Sequence, residues 1–357
     1  MKILLVSHAY IVPTNQQKIK SFAADKNLEV LAIAPKSWKA TLGVESAGED
    51  KPWLKYLPTI FTANNNRYFY NPFLLFLEIA KFRPDIIQVE EEPWSFACLQ
   101  LLILGKIMGA KVVFFTWENL FRKHKWFYKL IEKISLRLSD GVIAGNTAAR
   151  NILRTKGFTR PILVNPQFGV DTDFYKSREN RELKEKLGLT KFTLGFFSRF
   201  DEQKGLKTLL EAIKDLDLQV IFVGAGPLED WLREQAQTDE RLKVVGLVEH
   251  EKMPDYFNVI DLFVLPSVST PVWEEQFGHV LIEAMSAEVL VIASNSGAIP
   301  EVVGEGGMIF SGGLVKSLRT KLRDMFKRFL ETGNHLIERI DQVFDLFICL
   351  LRLNAGR

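Results

Sequence analysis

The chain reads as an α/β protein built from two doubly wound domains, and three observations lead to that class. Short apolar runs alternate with helical patterns through most of the 357 residues. The runs lack in–out alternation, as strands do when both faces of a parallel sheet are covered. The alternation also occurs twice, with a charged, strand-free stretch between the two series.

The first series predicts strands at 3–6, 30–34, 86–89, 112–115, 142–144 and 162–164. Met1-Lys2 leads straight into the first run, which is too short for a secretory core. The greasiest stretch, 96–115, is interrupted by Gln100, Lys106 and Lys111. It divides into a helix and a strand better than it forms a membrane span. The second series predicts strands at 193–197, 220–223, 243–245, 262–265, 289–293 and 308–310. Leu206, Leu209, Leu210, Ile213 and Leu216 share one face of a helix after the first of these. Between the series, 165–189 carries Pro166, Gly169 and the charged run Lys176 to Lys186, which marks a boundary. The expected domains are 1–170 and 171–320, with a helical tail at 321–357 that packs back on the first domain. Ligands of open parallel sheets bind beyond the carboxyl ends of the strands, so the expected site is a cleft that the two domains face.

Composition narrows the function. A net charge of +3 excludes a nucleic-acid polycation, so any electrostatic targeting is local. Cys98 and Cys349 lie in apolar stretches and read as buried thiols of a reducing compartment. The expected location is cytoplasmic, with peripheral contact at the cytoplasmic membrane face.

The most informative segment is Glu275-Gln276-Phe277-Gly278-His279-Val280-Leu281-Ile282-Glu283. It pairs a loop carboxylate with a glycine, then a helix whose amino end offers free N–H donors to an anion. Two acids beside an anion site suit a ligand with a phosphate at one end and hydroxyls to grip, such as a nucleotide-sugar. Upstream, Arg199 and Lys204 follow the strand at 193–197, where phosphates bind; ordinary surface cations are the equal alternative. Gly224-Ala225-Gly226-Pro227 follows the next strand as a glycine turn. Its third fingerprint glycine is missing and no acid ends the following strand, which disfavours a nicotinamide dehydrogenase.

In this order the pieces resemble the retaining family 4 glycosyltransferases of the GT-B fold, with two Rossmann-like domains. The resemblance runs from Gly141 to Phe310 and includes Val245-Gly246-Leu247-Val248, Leu265-Pro266-Ser267 and Gly297-Ala298-Ile299-Pro300-Glu301. It implies that Arg199 and Lys204 stabilise a leaving diphosphate, that Glu275 grips the transferred sugar and that Glu283 holds the ribose. Backbone groups of Phe277, Gly278, His279 and Val280 would cap the phosphates, and Gly224 and Gly226 would admit the nucleotide. The implied donor is a UDP-, GDP- or ADP-sugar, used as substrate without a cofactor. The implied acceptor is a glycan or a lipid-linked acceptor, in cell-surface polysaccharide or glycolipid synthesis. A nucleotide-sugar epimerase and a catalytically silent binding protein on the same scaffold are the alternatives. One departure stands out: Glu288 occupies a helix end where a glycine is usual, which costs a favourable left-handed terminator.

The first half matches less. His8 to Asn15 replaces the glycine-rich loop common after the first strand. Glu90-Glu91-Glu92 suggests a solvated loop, with a cation or sugar hydroxyls as the lesser reading. Glu118, where relatives place a histidine, is the expected acceptor-side contact, with Trp117 able to stack on a sugar. The cations and aromatics from Phe121 to Leu130 suit either an interfacial helix on anionic lipid or a helix with its aromatic side packed inward. Asp171-Thr172-Asp173 reads as an interdomain turn. No His/Cys cluster has metal-ligand spacing, so no metal is expected.

Overall fold

The computed structural model describes residues 1–40, 43–61 and 64–332. The chain divides into two compact units, Met1–Phe168 and a second from Gly169 onward. In the first, β1 (Lys2–Val6), β2 (Glu29–Pro35), β5 (Leu54–Leu57), β8 (Ile86–Val89), β9 (Lys111–Thr116), β10 (Gly141–Ala144) and β11 (Ile162–Val164) form one sheet. Its order is β11-β10-β9-β8-β1-β2-β5, and every pairing is parallel. Two antiparallel ladders interrupt the winding: β3 (Ser37–Ala40) with β4 (Gly43–Ser46), and β6 (Thr59–Ile60) with β7 (Phe69–Tyr70). The helices are α1 (Gln17–Ala24), α2 (Pro72–Phe82), α3 (Phe96–Ile107), α4 (Trp126–Leu138) and α5 (Thr147–Thr155). Local chemistry starts three of them. Asn71, Ser95 and Asn146 each accept a first-turn N–H, and Pro72 opens α2 with a preset φ.

The second unit contains α6 (Arg181–Lys186), β12 (Thr193–Phe197), α7 (Leu206–Ile213), β13 (Gln219–Val223), α8 (Glu229–Thr238) and β14 (Leu242–Gly246). There follow α9 (Met253–Phe257), β15 (Leu262–Leu265), α10 (His279–Ser286), β16 (Leu290–Ser294), α11 (Ile299–Val303), β17 (Met308–Phe310) and α12 (Val315–Thr332). The strands are parallel in the order β14-β13-β12-β15-β16-β17. Every residue of β12, β13 and β15 is buried, which is why their sequences are unbroken apolar runs. Counted along the chain, both sheets begin 3-2-1-4-5-6. Each therefore has a switch point, between β1 and β8 and between β12 and β15.

The two doubly wound sheets match the expected class. The edge strand β5 and the two ladders were not anticipated. Glu288 takes a left-handed φ of 60°. Its N–H donates to Met285 O at 3.0 Å and that of Val289 to Ala284 O at 3.0 Å, so α10 ends in a Schellman turn with a glutamate in the glycine position. α12 begins at Val315, and a domain boundary at 320 falls inside it. It buries Leu318, Leu322 and Met325 in the second unit, with Phe329 4.5 Å from Phe192. The rest of the expected tail, with Cys349, lies outside the described residues.

Candidate active site

At the switch point of the second sheet, the loop after β12 brings Lys204 to Glu275 of the loop after β15. The loop after β12 is tied to the neighbouring glycine turn: Phe200 N–H donates to Ala225 O at 3.0 Å, and Leu228 N–H to Phe200 O at 2.9 Å. Gly224 has φ 142°, and a Cβ there would overlap the Ser198 carbonyl; one at Gly226 would overlap the backbone of Phe200. These glycines thus serve the close approach of two loops.

Asp201 accepts the Lys204 N–H at 3.1 Å and fixes a short turn, which carries Lys204 inward. Lys204 Nζ donates to Glu275 Oε2 at 2.6 Å, Ser267 Oγ donates to the same oxygen at 3.0 Å, and Nζ lies 5.1 Å from the Trp273 ring centre. Glu275 is also held by its backbone. Its carbonyl accepts the Ala298 N–H at 2.9 Å, and its N–H donates to Ser296 Oγ at 3.4 Å. The lysine and glutamate side chains are only 17% and 10% exposed, so each neutralises the other in a largely dry place. Arg199 is different: 57% exposed, with Asp201 3.7 Å away.

Gly278, at φ 82°, caps α10, and His279 is its first residue. Phe277 and Val280 pack against the core, while the first-turn N–H groups carry the positive end of the helix dipole. Glu283 stands one turn further. Burial pushes its carboxyl up to about 7, against the lowering effect of a hydrogen bond from the Tyr175 hydroxyl. The Asp171 segment is a turn, with Asp171 Oδ1 accepting the N–H groups of Asp173 and Phe174 at 3.0 and 3.1 Å.

In the first unit, the solvated loop suggested by Glu90-Glu91-Glu92 is overturned. Glu90 and Glu91 are 3% and 5% exposed, and each of the three acids has its own partners. Glu90 binds Lys18 and accepts from Gln88 and Gln167 at 2.7 and 3.0 Å. Glu91 holds His8, with Oε1 2.7 Å from Nδ1. Glu92 accepts from Thr116 Oγ1 at 2.5 Å and from the Trp117 N–H at 2.9 Å. Burial pushes its carboxyl up to about 7, although both hydrogen bonds oppose the shift.

Glu118 is 2% exposed and paired with Lys156, which also binds Glu132. In this position it balances a buried lysine instead of presenting an open contact. His124 lies 4.0 Å from it. Glu118, His124 and Glu132 bring one ligand atom each within 4.8 Å of one another, a grouping their spacing did not suggest, and the Lys156 ammonium is bonded to both carboxylates. Trp117 donates through Nε1 to Gln167 Oε1 at 3.0 Å, and its ring fills the space that a side chain at Gly145 would need. The inward-packed aromatic side of 121–130 is only half right. Tyr128 is buried, but Phe121, Trp126 and Leu130 are 63%, 77% and 51% exposed.

The sequence profile described as "Glycosyl transferases group 1" matches residues 177–342. An uncharacterized 41.2 kDa protein of the cps region of Klebsiella pneumoniae is 30% identical over 251 residues, 66% of this chain and 67% of that protein. The lipopolysaccharide core biosynthesis mannosyltransferase LpsB of Rhizobium meliloti is 30% identical over 278 residues, 68% of this chain and 73% of the relative. Other curated relatives are longer, and the matches span only 51% and 46% of their lengths. Among solved structures, Anabaena HepE, crystallised with UDP, superposes with a TM-score of 0.69 at 18% identity, covering 100% of this chain and 99% of that one.

Proposed function

The chain belongs to the group 1 glycosyl transferases, and from that premise we propose that it moves a sugar from a nucleotide-sugar to an acceptor hydroxyl with retention of configuration. The observation that carries this reading is the Lys204–Glu275–Ser267 cluster, set beside the amino end of α10 at the second sheet's switch point. In the proposed reaction the bond from the anomeric carbon to the donor phosphate breaks, and its electron pair leaves with the diphosphate. Arg199, Lys204 and the helix end neutralise that charge, so the reading needs no metal. The acceptor oxygen bonds to the anomeric carbon on the same face, and its proton passes to the departing phosphate. The diphosphate draws Lys204 from Glu275, which leaves the carboxylate to accept hydroxyls of the sugar. Glu283 accepts the ribose hydroxyls.

The setting proposed is polysaccharide or glycolipid assembly, which the relatives' names support. A surface on the first unit favours an acceptor held at a membrane. Phe121, Trp126 and Leu130 are exposed among the exposed cations Arg122, Lys123, Lys125 and Lys129, while the nearby acids Glu118 and Glu132 are buried. Among the described residues no helix is long and apolar enough to cross a membrane.

A thermal-shift panel of UDP-, GDP- and ADP-sugars tests the donor site. One base is expected to stabilise the protein, and Glu283→Ala to abolish that shift. No shift with any of the three sinks the reading. Glu275→Ala should keep nucleotide binding and lose acceptor-dependent transfer. Turnover of the nucleotide-sugar into its epimer would favour the epimerase instead.

A further inference from the structure

The first sheet has a switch point of its own, between β1 and β8, and the donor chemistry proposed above makes no use of it. His8 follows β1 and Glu91 follows β8. Glu91 fixes the histidine by ring and backbone together. Nδ1 lies 2.7 and 2.9 Å from the two carboxylate oxygens, and the His8 N–H donates to Oε1 at 2.8 Å. The imidazole stacks on Trp38, with ring centres 4.6 Å apart and planes 28° apart, and meets Tyr68 edge-on at 6.0 Å. The Glu91 side chain is 3% exposed while His8 keeps 26%. With Nδ1–H committed to the carboxylate, a neutral ring carries its lone pair on Nε2, and no hydrogen bond to Nε2 forms among the described residues. A stacked, tautomer-fixed imidazole at the carboxyl ends of the strands is a preorganised hydrogen-bond acceptor where such sheets take ligands.

We propose that His8, held in place by Glu91, receives a hydroxyl of the acceptor saccharide at Nε2. This rests on the transfer reaction proposed above and assigns it an acceptor contact, with Glu91 as a positioning residue. The groups around the ring give the site a dependence on pH. Burial works to lower the His8 pKa, but the charge and hydrogen bond of Glu91, with the charge of Glu90, raise it above 6.5. Lys18 of α1 is paired with Glu90, and the neighbouring Tyr10 and Tyr68 hydroxyls stay protonated, their pKa values pushed well up by burial. An imidazolium carries N–H in place of the Nε2 lone pair and can only donate, so a hydroxyl held as the donor at Nε2 loses that contact as pH falls through the His8 pKa.

The chain has five histidines, few enough to assign in protein labelled at the imidazole carbons. The probes are n-octyl glycosides of glucose, galactose, mannose and N-acetylglucosamine, titrated against the full chain, with UDP alone as the control. At least one glycoside should move the His8 resonance and saturate, while UDP leaves it in place. His8→Gln should weaken that glycoside about tenfold and change UDP affinity less than about twofold, with the thermal midpoint as the check on folding. In the wild type the glycoside should bind several-fold more weakly at about pH 5.5 than at about pH 8.5. His8→Gln should abolish that difference, and Glu91→Gln should move the acid limb to lower pH, since the carboxylate that raises the His8 pKa is gone. The proposal is overturned if no glycoside moves His8, if His8→Gln weakens UDP as much as the glycoside, or if the pH limb survives in His8→Gln. UDP failing to bind the wild type while a glycoside still moves His8 would overturn the donor reading and leave this site standing.

Discussion

Glu283 faces opposite demands from folding and from the proposed ribose contact. Its carboxyl rises from an ordinary 4.5 to about 7 on folding, so between those values the folded protein holds the extra proton. The stability this supplies is complete below pH 4.5 and is lost as pH rises through about 7. Glu283→Gln should therefore raise stability at pH 8 by about 1–3 kcal/mol and leave it nearly unchanged at pH 4, read from urea midpoints. Nucleotide affinity should move the other way, rising with pH in the wild type and staying weak in the variant. A variant no more stable at pH 8 than the wild type would refute the account. The buried lysine makes a second case. Lys156→Met leaves Glu118 and Glu132, 2% and 11% exposed at their side chains, without their shared cation. The expected loss is about 3–5 kcal/mol, measurable by chemical denaturation, and a loss under about 1 kcal/mol would contradict the pairing.

At the scale of elements, the turn between α10 and β16 holds the clearest local conflict. Glu288 occupies a left-handed position that suits glycine, so Glu288→Gly should stabilise the protein by about 0.5–1 kcal/mol, while Glu288→Ala should not. Equal urea midpoints for all three proteins would show that the turn is not strained. The same elements show what a sequence makes legible. β12, β13 and β15 are buried throughout and read as unbroken apolar runs. β5 escapes notice because it is a four-residue edge strand with a half-exposed Lys55, and β6 and β7 are two residues each, too short for any period. In the site, the residue types and their order suggest an anion at the start of α10. The Lys204–Glu275 pair is invisible, because it depends on how loops 71 positions apart fold together. Glu90, Glu91 and Glu92 mislead for a related reason: adjacent charges look repulsive, yet each turns to a different element of the fold. His8 gives no signal at all, being a lone histidine whose partner lies 83 residues away.

For the whole molecule, a net charge of only +3 means that the proposed membrane contact would rest on the cluster on α4 and the loop before it. The chain should sediment with vesicles rich in phosphatidylglycerol and not with phosphatidylcholine alone, and Trp126→Glu should release it. Retention by neutral vesicles, or by the variant, would point away from this surface. The placement of β1 in the interior of its sheet bears on a different process, the making of the chain. Its register partners run from Glu29 to Ile33 on one side and from Ile86 to Val89 on the other. A ribosome must therefore release the whole stretch from β1 through β8 before β1 has both neighbours. Until then Ile3, Leu4 and Leu5 offer an open, greasy edge to any chaperone or stray strand nearby. β12 repeats the situation, waiting for β15 some 70 residues later, so synthesis passes through two such windows of exposure, one for each sheet.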